Sequence, residues 1–477
     1  MYGPLDLFIN NVWRPGSGGK SEPVINPANG RQLGSVPHAS RSDLDDALMV
    51  AERSFRVWRA ITPYDRERVL LKAAELLRER VEHIAATLTM EQGKPLAEAR
   101  LEVLFSADMI QWFAEEGRRA YGRIVPGRNG KLLMRVVREP VGPVAAFTPW
   151  NFPIAVPARK VGAILAAGCS CIIKPSEETP AAALAMARAF QDAGLPPGVL
   201  QVVFGAPSEI AEHLLASPTI RKVTLTGSIA VGKSLARLAA DGLKGLTLEL
   251  GGHAPVIIDA DVDVRHVAEL SAAAKYRNAG QVCTSPTRFF VHESIVEGFV
   301  ARFTEVAASI RVGDGMDPAT QMGPLANSRR CIAVEGFVED AVARGARILA
   351  GGKRIGDLGN FYAPTVLTVV PDDADMMRNE PFGPVAPVSS FASLEQAVQR
   401  ANSLPYGLAA YAFSRSADHL QHLAEELDAG IVGLNNYAIA QAEVPFGGVK
   451  ESGYGRESGS EGLDAFMIEK TITQLVS

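Results

Sequence analysis

The sequence has few cysteines, and it lacks both a long apolar run and an excess of charge of one sign. Its four cysteines in 477 residues form no Cys-x-x-Cys pair, which favours a reducing compartment over a disulfide scaffold. The longest apolar stretch, residues 161–173, is 13 residues long, whereas a membrane span needs about 20. Lys and Arg number 48 and Asp and Glu 53, so the net charge of −5 argues against nucleic-acid or membrane partners. The N-terminal residues have no basic region and no long apolar run, so we expect no signal peptide and a cytoplasmic location.

The composition that remains is that of an ordinary globular protein, because 47% of the residues are apolar and 21% are charged. The length predicts two to four domains of roughly 100–200 residues each. Apolar residues at helical spacing predict three helices near the start, over about residues 44–58, 65–92 and 96–121. Ser42 and Asp45 have the spacing of a cap for the first of them.

Beyond Val141, short apolar runs alternate with helical stretches, a pattern typical of a parallel sheet with helices on both faces. The first set of candidate strands comprises residues 144–147, 169–173, 199–203, 222–225 and 246–250. The second set comprises residues 255–258, 288–291, 347–349, 385–391, 408–413 and 431–434. Two sets predict two α/β domains, with ligands bound in the cleft beyond the carboxyl ends of the strands.

A glycine-containing string, Gly227-Ser-Ile-Ala-Val-Gly-Lys-Ser234, follows one candidate strand and opens a helix. Its spelling matches a nucleotide P-loop, so an enzyme that hydrolyses ATP or GTP is one interpretation. A less specific interpretation is that the glycines and the helix N-terminus bind a phosphate of any ligand, including the pyrophosphate of a dinucleotide. A plain tight turn is the third.

One of the four cysteines differs from the others in its setting. Cys283 lies in a polar segment, Asn278-Ala-Gly-Gln-Val-Cys-Thr-Ser-Pro, whereas Cys169 and Cys171 lie in an apolar run and Cys331 on a helix. The last three are expected to be buried thiols. Cys283 is a candidate nucleophile, which requires an activating environment and a base.

Polar residues at the strand ends supply candidate partners for this thiol. Glu249 ends an apolar strand before two glycines and is the candidate base, although an exposed strand terminus would explain it equally well. Asn151, held between two prolines, is a candidate oxyanion donor or part of a structural turn. Lys174 and Glu177 also follow a strand. The only close histidine pair, His419 and His422, has no third ligand nearby, so we expect no metal site.

Seven strings in fixed order and spacing together resemble the NAD(P)-dependent aldehyde dehydrogenase superfamily. They are residues 147–153, 174–180, 225–232, 249–252, 280–283, 379–385 and 445–448. The resemblance covers nearly the whole chain, from the Asn26-Pro27 turn to Lys470-Thr471, and it reassigns the P-loop-like string to dinucleotide binding.

The resemblance implies a role for each catalytic residue. Cys283 attacks the aldehyde, and the oxyanion of the thiohemiacetal is held by the Asn151 amide and the Cys283 backbone N–H. After hydride transfer leaves a thioester, Glu249 activates the water that releases the acid. Lys160 and Glu457 match positions associated with proton relay.

The resemblance also implies a cofactor site. Trp150 and Ser228 match pyrophosphate contacts, and Glu380 matches the residue that holds the nicotinamide ribose. The full set of cofactor positions is Phe147, Trp150, Lys174, Ser176, Glu177, Gly227, Ser228, Gly232, Leu250, Glu380 and Phe382. Because the Glu177 carboxylate accepts a 2′-hydroxyl and repels a 2′-phosphate, NAD is the expected cofactor, with NADP use still permitted.

Two arginines bear on the substrate. Arg159 and Arg277 match a pair that binds the distal carboxylate in succinate-semialdehyde dehydrogenases, and a guanidinium suits that anion. Gln441 stands where those enzymes tend to place a substrate-binding serine, which leaves the chain length open. A structural ion pair is the alternative for either arginine.

The function predicted is therefore NAD-dependent oxidation of an ω-carboxylate semialdehyde, with succinate semialdehyde as the first candidate. The alternatives are α-ketoglutarate semialdehyde or a neutral aldehyde as substrate. More remote ones are a P-loop NTPase and a non-catalytic dinucleotide-binding protein.

The expected architecture is α/β, with three parts. Residues 1–120, 141–250 and 446–464 form a Rossmann-like NAD-binding domain, and residues 251–445 form an α/β catalytic domain. A small β element, residues 121–140 and 465–477, bridges subunits in this superfamily, so the resemblance implies a homodimer or homotetramer.

Overall fold

The computed structural model describes residues 2–476, and its N-terminal part is a hairpin followed by a layer of helices. The elements are β1 (Leu7–Ile9), β2 (Val12–Arg14), β3 (Ser21–Ile25), β4 (Gln32–Pro37), α1 (Arg41–Trp58), α2 (Pro63–Glu79), α3 (Val81–Gln92), α4 (Leu96–Glu116), β5 (Arg123–Pro126) and β6 (Leu132–Pro140). Asn10 and Asn11 join β1 to β2 with φ values of 53° and 63°, as a tight type I′ turn requires.

The helices at the N-terminus correct two details of the sequence analysis. The cap of α1 is Ser40 rather than Ser42: the Ser40 side chain accepts from the Asp43 N–H, and the Asp43 carboxylate accepts from the Ser40 N–H. The helix expected over residues 65–92 is broken at Arg80 into α2 and α3. Apolar spacing continues across this break, so periodicity does not reveal it.

The middle of the chain builds the first parallel sheet. Its elements are β7 (Val144–Phe147), α5 (Ala155–Ala167), β8 (Cys171–Lys174), α6 (Pro180–Asp192), β9 (Leu200–Val202), α7 (Pro207–Ala216), β10 (Lys222–Thr226), α8 (Ile229–Asp241) and β11 (Gly245–Glu249). These strands are parallel in the order β11-β10-β7-β8-β9, and the β1/β2 hairpin extends the sheet antiparallel beyond β9.

A second sheet follows, with its own hydrophobic core. The elements are β12 (Ala254–Ile258), α9 (Val264–Tyr276), β13 (Pro286–His292), α10 (Val296–Ser309), α11 (Ser328–Ala343), β14 (Arg347–Ala350), β15 (Thr365–Thr368), α12 (Asp375–Arg378), β16 (Val385–Phe391), α13 (Leu394–Asn402), β17 (Ala409–Phe413), α14 (Ala417–Glu426) and β18 (Ile431–Leu434). The order is β14-β15-β16-β13-β12-β17-β18, and all neighbours are parallel except β14 and β15.

The chain then returns to the first sheet and ends beside β6. The last elements are β19 (Gly453–Tyr454), α15 (Gly459–Asp464) and β20 (Met467–Leu475). β19 pairs with β11, and β20 joins β6 and β5 in a separate antiparallel sheet. The two α/β sheets predicted from the sequence are confirmed, whereas the domain boundaries and the role of the third sheet stay predictions.

Two separate groups of buried apolar side chains accompany the two α/β sheets. The first surrounds β7–β11 and helices α1–α8, and it includes Leu463 and Phe466 from the end of the chain. The second surrounds β12–β18 and helices α9–α14. Among residues 2–476, every helix is too short or too polar to cross a bilayer.

Candidate active site

The carboxyl ends of the strands in the first sheet collect most of the predicted site residues. β7 ends at Phe147 before Trp150 and Asn151, and β11 ends at Glu249. Because parallel strands end at one edge, these residues, which are distant in sequence, lie beside one another. The same edge faces the second sheet across a cleft, into which Cys283 projects.

Two adjoining cavities occupy this edge. The larger cavity, about 1320 Å³, is lined by the predicted residues Phe147, Trp150, Lys174, Ser176, Glu177, Gly227 and Ser228. The smaller cavity, about 800 Å³, is lined by the predicted residues Trp150, Asn151, Arg159, Gly227, Ser228, Glu249, Leu250, Arg277, Cys283, Glu380 and Phe382. Trp150, Gly227 and Ser228 line both, so the two cavities are continuous.

The loop before Cys283 has an unusual backbone. Asn278, Ala279 and Gly280 have consecutive φ values of 48°, 52° and 72°, a left-handed conformation that is uncommon for residues other than glycine. A Cβ at Gly280 would lie 2.1 Å from the Gly383 carbonyl oxygen, so only glycine fits there. Further along, the Tyr411 hydroxyl donates to the Thr284 carbonyl at 2.6 Å. The backbone is therefore fixed both before Cys283, by the packing of Gly280, and after it, by the hydrogen bond to Thr284.

The thiol of Cys283 is half-buried and faces carboxylates. Burial raises the pKa of Cys283 to about 12, and the charges of Glu380 and Glu249 act in the same direction, while Arg159 opposes them. The thiol is consequently protonated in the free enzyme at neutral pH. It becomes a nucleophile only when its proton is removed or when a bound cation compensates the charge.

Asn151 lies within reach of the nucleophile loop. Its Nδ2 donates to the Gln281 carbonyl at 3.1 Å, which uses one of its two N–H bonds and leaves the second for a ligand. Its own carbonyl accepts from the Nζ of Lys94 at 2.8 Å and from the Nδ2 of Asn278 at 3.0 Å. These bonds fix the amide against the loop that carries Cys283.

Glu249 is fully buried, and neither carboxylate oxygen has a hydrogen-bond partner among residues 2–476. Burial raises the pKa of Glu249 well above its usual value, and the charge of Glu457 adds to the effect. Glu457 itself pairs with Lys160, whose Nζ also contacts the Thr224 hydroxyl at 2.9 Å. Lys160 and Glu457 do not line the smaller cavity within the described chain, but lie behind Glu249.

The two predicted substrate arginines differ in environment. Arg159 is only 9% exposed, and its guanidinium makes no hydrogen bond or ion pair with any residue the structure describes. Its Cζ lies 4.2 Å from the centroid of the Phe446 ring. Arg277 is exposed, with its Cζ 5.6 Å from the Phe152 ring. Arg159 is thus a buried cation without an ion pair in the described structure, whereas Arg277 is in contact with water.

Besides Lys160 and Glu457, two predicted positions do not line the cavities in the described structure. Gln441 is exposed, and Ala440, one residue earlier, lines the smaller cavity in its place. Gly232 is buried on α8, where a Cβ would lie 2.6 Å from the side chain of Leu250. Gly232 therefore permits helix α8 to pack on the strand end, and the structure does not support a substrate contact for Gln441.

The residues that line the larger cavity have the chemistry that a dinucleotide needs. Gly227 and Ser228 precede helix α8, and the Ser228 hydroxyl caps it, so the free N–H groups of that helix face the cavity. Lys174 forms an ion pair with Glu177 at 2.5 Å, and the Glu177 carboxylate also accepts from the Gly205 N–H at 2.9 Å.

At the junction with the smaller cavity, the Gly252 N–H donates to Glu380 at 3.1 Å, and burial raises the pKa of Glu380 to about 8. The Trp150 and Phe382 rings meet edge to face at 5.5 Å. By contrast, Lys233 of the P-loop-like string is exposed and pairs with Glu451 at 2.7 Å, away from both cavities. The string thus lacks the inward-facing lysine that a P-loop needs.

The sequence analysis missed a charged group on the wall of the smaller cavity, formed by Lys94, Glu98 and Glu102. Lys94 and Glu102 form a buried ion pair at 2.5 Å. The available signal was the spacing of Glu98 and Glu102 one turn apart on a helix whose other positions are largely apolar.

Comparison with known proteins places this site in a family. The model of the aldehyde dehydrogenase family matches residues 13–472. The chain is 48% identical to 4-(hydroxymethyl)benzenesulfonate dehydrogenase TsaD1 of Comamonas testosteroni over 98% of each chain. It is 39% identical to the succinate-semialdehyde dehydrogenase [NADP(+)] GabD of Escherichia coli K12, over 96% of this chain and 95% of that one.

A solved structure agrees with these relatives. Succinate-semialdehyde dehydrogenase from Burkholderia pseudomallei superposes with a TM-score of 0.97 at 42% identity, covering 99% of this chain and 98% of that chain. The protein belongs to the aldehyde dehydrogenase family. The resemblance seen in the sequence and the predicted fold class are confirmed, and the alternative of a P-loop NTPase has no support.

Proposed function

We propose that this dehydrogenase oxidises an aldehyde that carries an anionic group at its far end, with an ω-carboxylate semialdehyde, succinate semialdehyde first, as the substrate. The observation that carries the proposal is Arg159, a buried guanidinium that forms no ion pair with any described residue, in the cavity that contains Cys283. Leaving such a charge unpaired is unfavourable. A substrate carboxylate would satisfy it with bidentate, charge-assisted hydrogen bonds.

In the proposed mechanism, Glu249 takes the proton of the Cys283 thiol and releases it to solvent by way of Glu457. The thiolate then adds to the aldehyde carbon, and the resulting oxyanion accepts hydrogen bonds from the free Asn151 N–H and the Cys283 backbone N–H. After the hydride is lost, Cys283 holds the acyl group as a thioester. Glu249, which has no bonded partner in the described structure, takes a proton from water so that hydroxide attacks the thioester. Glu457, which pairs with Lys160 and whose charge acts on Glu249, would then accept that proton from Glu249.

The cofactor proposed is NAD, which accepts the hydride when it is bound. Ser228 and the N-terminus of α8 would hold the pyrophosphate, and Glu380 would hold the nicotinamide ribose. Both oxygens of Glu177 are already fixed, by Lys174 and by the Gly205 N–H. A fixed carboxylate at that point receives a 2′-hydroxyl and repels a 2′-phosphate.

An anionic aromatic aldehyde is a second candidate, and a specific feature favours it. Phe105, Phe152 and Phe446 line the smaller cavity, and the two arginines lie against two of these rings. Such walls suit a flat ring as well as a short alkyl chain. The name of the TsaD1 relative describes a sulfonated aromatic compound.

The test compares kcat/KM for three aldehydes, measured as NADH formation: succinate semialdehyde, 4-formylbenzenesulfonate and propanal. We expect both anions to exceed propanal by at least about tenfold, because only they can pair with Arg159. A higher value for 4-formylbenzenesulfonate than for succinate semialdehyde would select the aromatic candidate. A preference for propanal would show that the anionic assignment is wrong.

We also propose that the sheet of β5, β6 and β20 associates with a second copy of the chain. Ile124, Ile468 and Leu475 are exposed on its strands, and of its described residues only Met467 packs against one of the two cores. An unpaired sheet edge with exposed apolar residues favours pairing. Light scattering after gel filtration should give a dimer or a tetramer, and a monomeric mass would contradict the proposal.

A further inference from the structure

The wall of the smaller cavity contains an ion pair that the proposed mechanism does not use. Lys94 is 2% exposed and Glu102 is 5% exposed, and their Nζ and Oε2 atoms are 2.5 Å apart. Lys94 follows the end of α3, whereas Glu102 lies within α4. A buried pair of this kind is generally no more stabilising than apolar residues of similar volume, so stability alone does not explain it.

The remaining bonds of the pair lead to the segment that contains Asn151. The Nζ of Lys94 donates to the main-chain carbonyl of Asn151 at 2.8 Å and lies 4.0 Å from the Phe152 ring centroid. The other carboxylate oxygen of Glu102 accepts from the backbone N–H groups of Ile154 at 3.1 Å and Ala155 at 3.2 Å. The pair therefore holds the backbone on both sides of the turn between β7 and α5.

The other polar anchors of Asn151 come from the loop before Cys283. The Asn278 amide donates to the Asn151 carbonyl, and the Asn151 amide donates to the Gln281 carbonyl. Ala155 opens helix α5, and Arg159 lies one turn further along the same helix. A shift of the turn would thus move the Asn151 amide relative to Cys283, and a misplacement of about 1 Å can lower a rate by about 100-fold.

We infer that Lys94 and Glu102 are positioning residues, which hold the Asn151 amide at the oxyanion without touching the substrate. The inference rests on the proposed role of Asn151 in aldehyde oxidation. This positioning role is distinct from electrostatic attraction of an anionic substrate to Lys94, because Glu102 neutralises the charge of the lysine. The hydrogen bond to Asn151 should also matter for every aldehyde, whether charged or neutral.

A double-mutant cycle between the ion pair and Asn151 tests this inference. The paired variant Lys94→Met/Glu102→Gln removes both charges of the pair together, and the glutamine oxygen still accepts from Ile154 and Ala155. The neighbouring Glu98 keeps the hydrogen bond from the Asn278 N–H at 3.0 Å and the nearby charge of Arg277. Propanal is the substrate, since it has no charge to attract. The readout is the rate of the first NADH burst, which reports the steps at Cys283 up to the thioester.

We expect the paired variant to slow the burst by roughly 10- to 100-fold when Asn151 is present. In the Asn151→Ala background, the same pair of changes should slow it by less than about threefold, because the amide that the pair positions is gone. Equal losses in the two backgrounds would overturn the inference. If the unaltered enzyme oxidised no aldehyde at all, the proposed function would be wrong, and the inference with it.

A variant on the same helix controls for general loss of stability. Val103 is fully buried in the first core and does not line the smaller cavity. Val103→Ala should lower the unfolding midpoint while leaving the burst rate within about twofold. A burst as slow as that of the paired variant would show that destabilisation alone explains the effect, which would also overturn the inference.

Discussion

Replacing Arg159 by methionine should weaken the enzyme towards anionic aldehydes and at the same time preserve or increase its stability. Two unit charges about 4 Å apart interact by about 4 kcal/mol at an effective dielectric constant of about 20. Hydrogen bonds to charged groups contribute about 1.5–3 kcal/mol net. Since Arg159 lies almost out of water, at 9% exposure, we expect a loss of about 3 kcal/mol, or roughly 100-fold in kcat/KM for succinate semialdehyde.

The expected effect on stability has the opposite sign. The Arg159 guanidinium has no partner in the described structure except the face of the Phe446 ring, which offers about 0.5–2 kcal/mol. Its desolvation is unfavourable by several kcal/mol, and methionine of similar length removes that term. We therefore expect the free energy of unfolding, measured in urea, to stay the same or to rise.

Two controls sharpen this experiment. Arg159→Lys keeps the charge but loses the fork geometry, so it should lose only about tenfold. Arg277→Met should lose less than about fivefold, because the exposed Arg277 is screened by water. The reasoning is refuted if Arg159→Met slows propanal as much as succinate semialdehyde, or if it lowers the free energy of unfolding.

Three further predictions concern the nucleophile, the base and the cofactor. Cys283→Ser should abolish NADH formation, whereas Lys233→Met should leave its rate within about twofold, as measured by NADH absorbance. Neither variant should hydrolyse ATP, as measured by phosphate release. The pKa of Glu249 is raised by burial and by the charge of Glu457, and the base must be ionised to act, so kcat should increase with pH through that pKa. Because Glu457→Gln removes one of the two causes, a pH–rate profile of that variant should show the increase at lower pH. Glu177→Gln removes the repulsion of a 2′-phosphate, so the ratio of kcat/KM for NADP to that for NAD should rise by roughly tenfold in paired assays.

The alternation of strands and helices was readable from the sequence because strands buried on both faces are continuous apolar runs. The strands expected over residues 144–147 and 385–391 have those same limits in the structure. β15 was missed because Thr365–Thr368 mixes polar and apolar residues and follows a loop rich in glycine. The antiparallel hairpin at Asn10 and Asn11 was missed because its two strands have only three residues each.

The candidate site was less predictable than the fold, since most of its contacts join distant parts of the chain. The resemblance supplied Cys283, Glu249 and Asn151, which line one cavity in the structure. It did not reveal the Lys94–Glu102 pair, because a lysine after one helix and a glutamate on the next look like solvated charges until the fold buries them. The resemblance also predicted that Gln441 lines the cavity, whereas in the structure the preceding residue, Ala440, does so.

Some ionisable groups of the smaller cavity have hydrogen-bond or ion-pair partners within the protein and others have none. This difference agrees with the roles proposed for them. Lys94 and Glu102 are paired and bonded to backbone, as positioning residues need to be. Glu249 and Arg159 are buried without bonded partners in the described chain. An unpaired buried charge is unfavourable in the free enzyme, so its interaction becomes stronger when a reacting water or a substrate anion supplies the missing partner. Glu249 and Arg159 are thus among the groups that would act on what the protein binds, which is why removing Arg159 should lower activity without lowering stability.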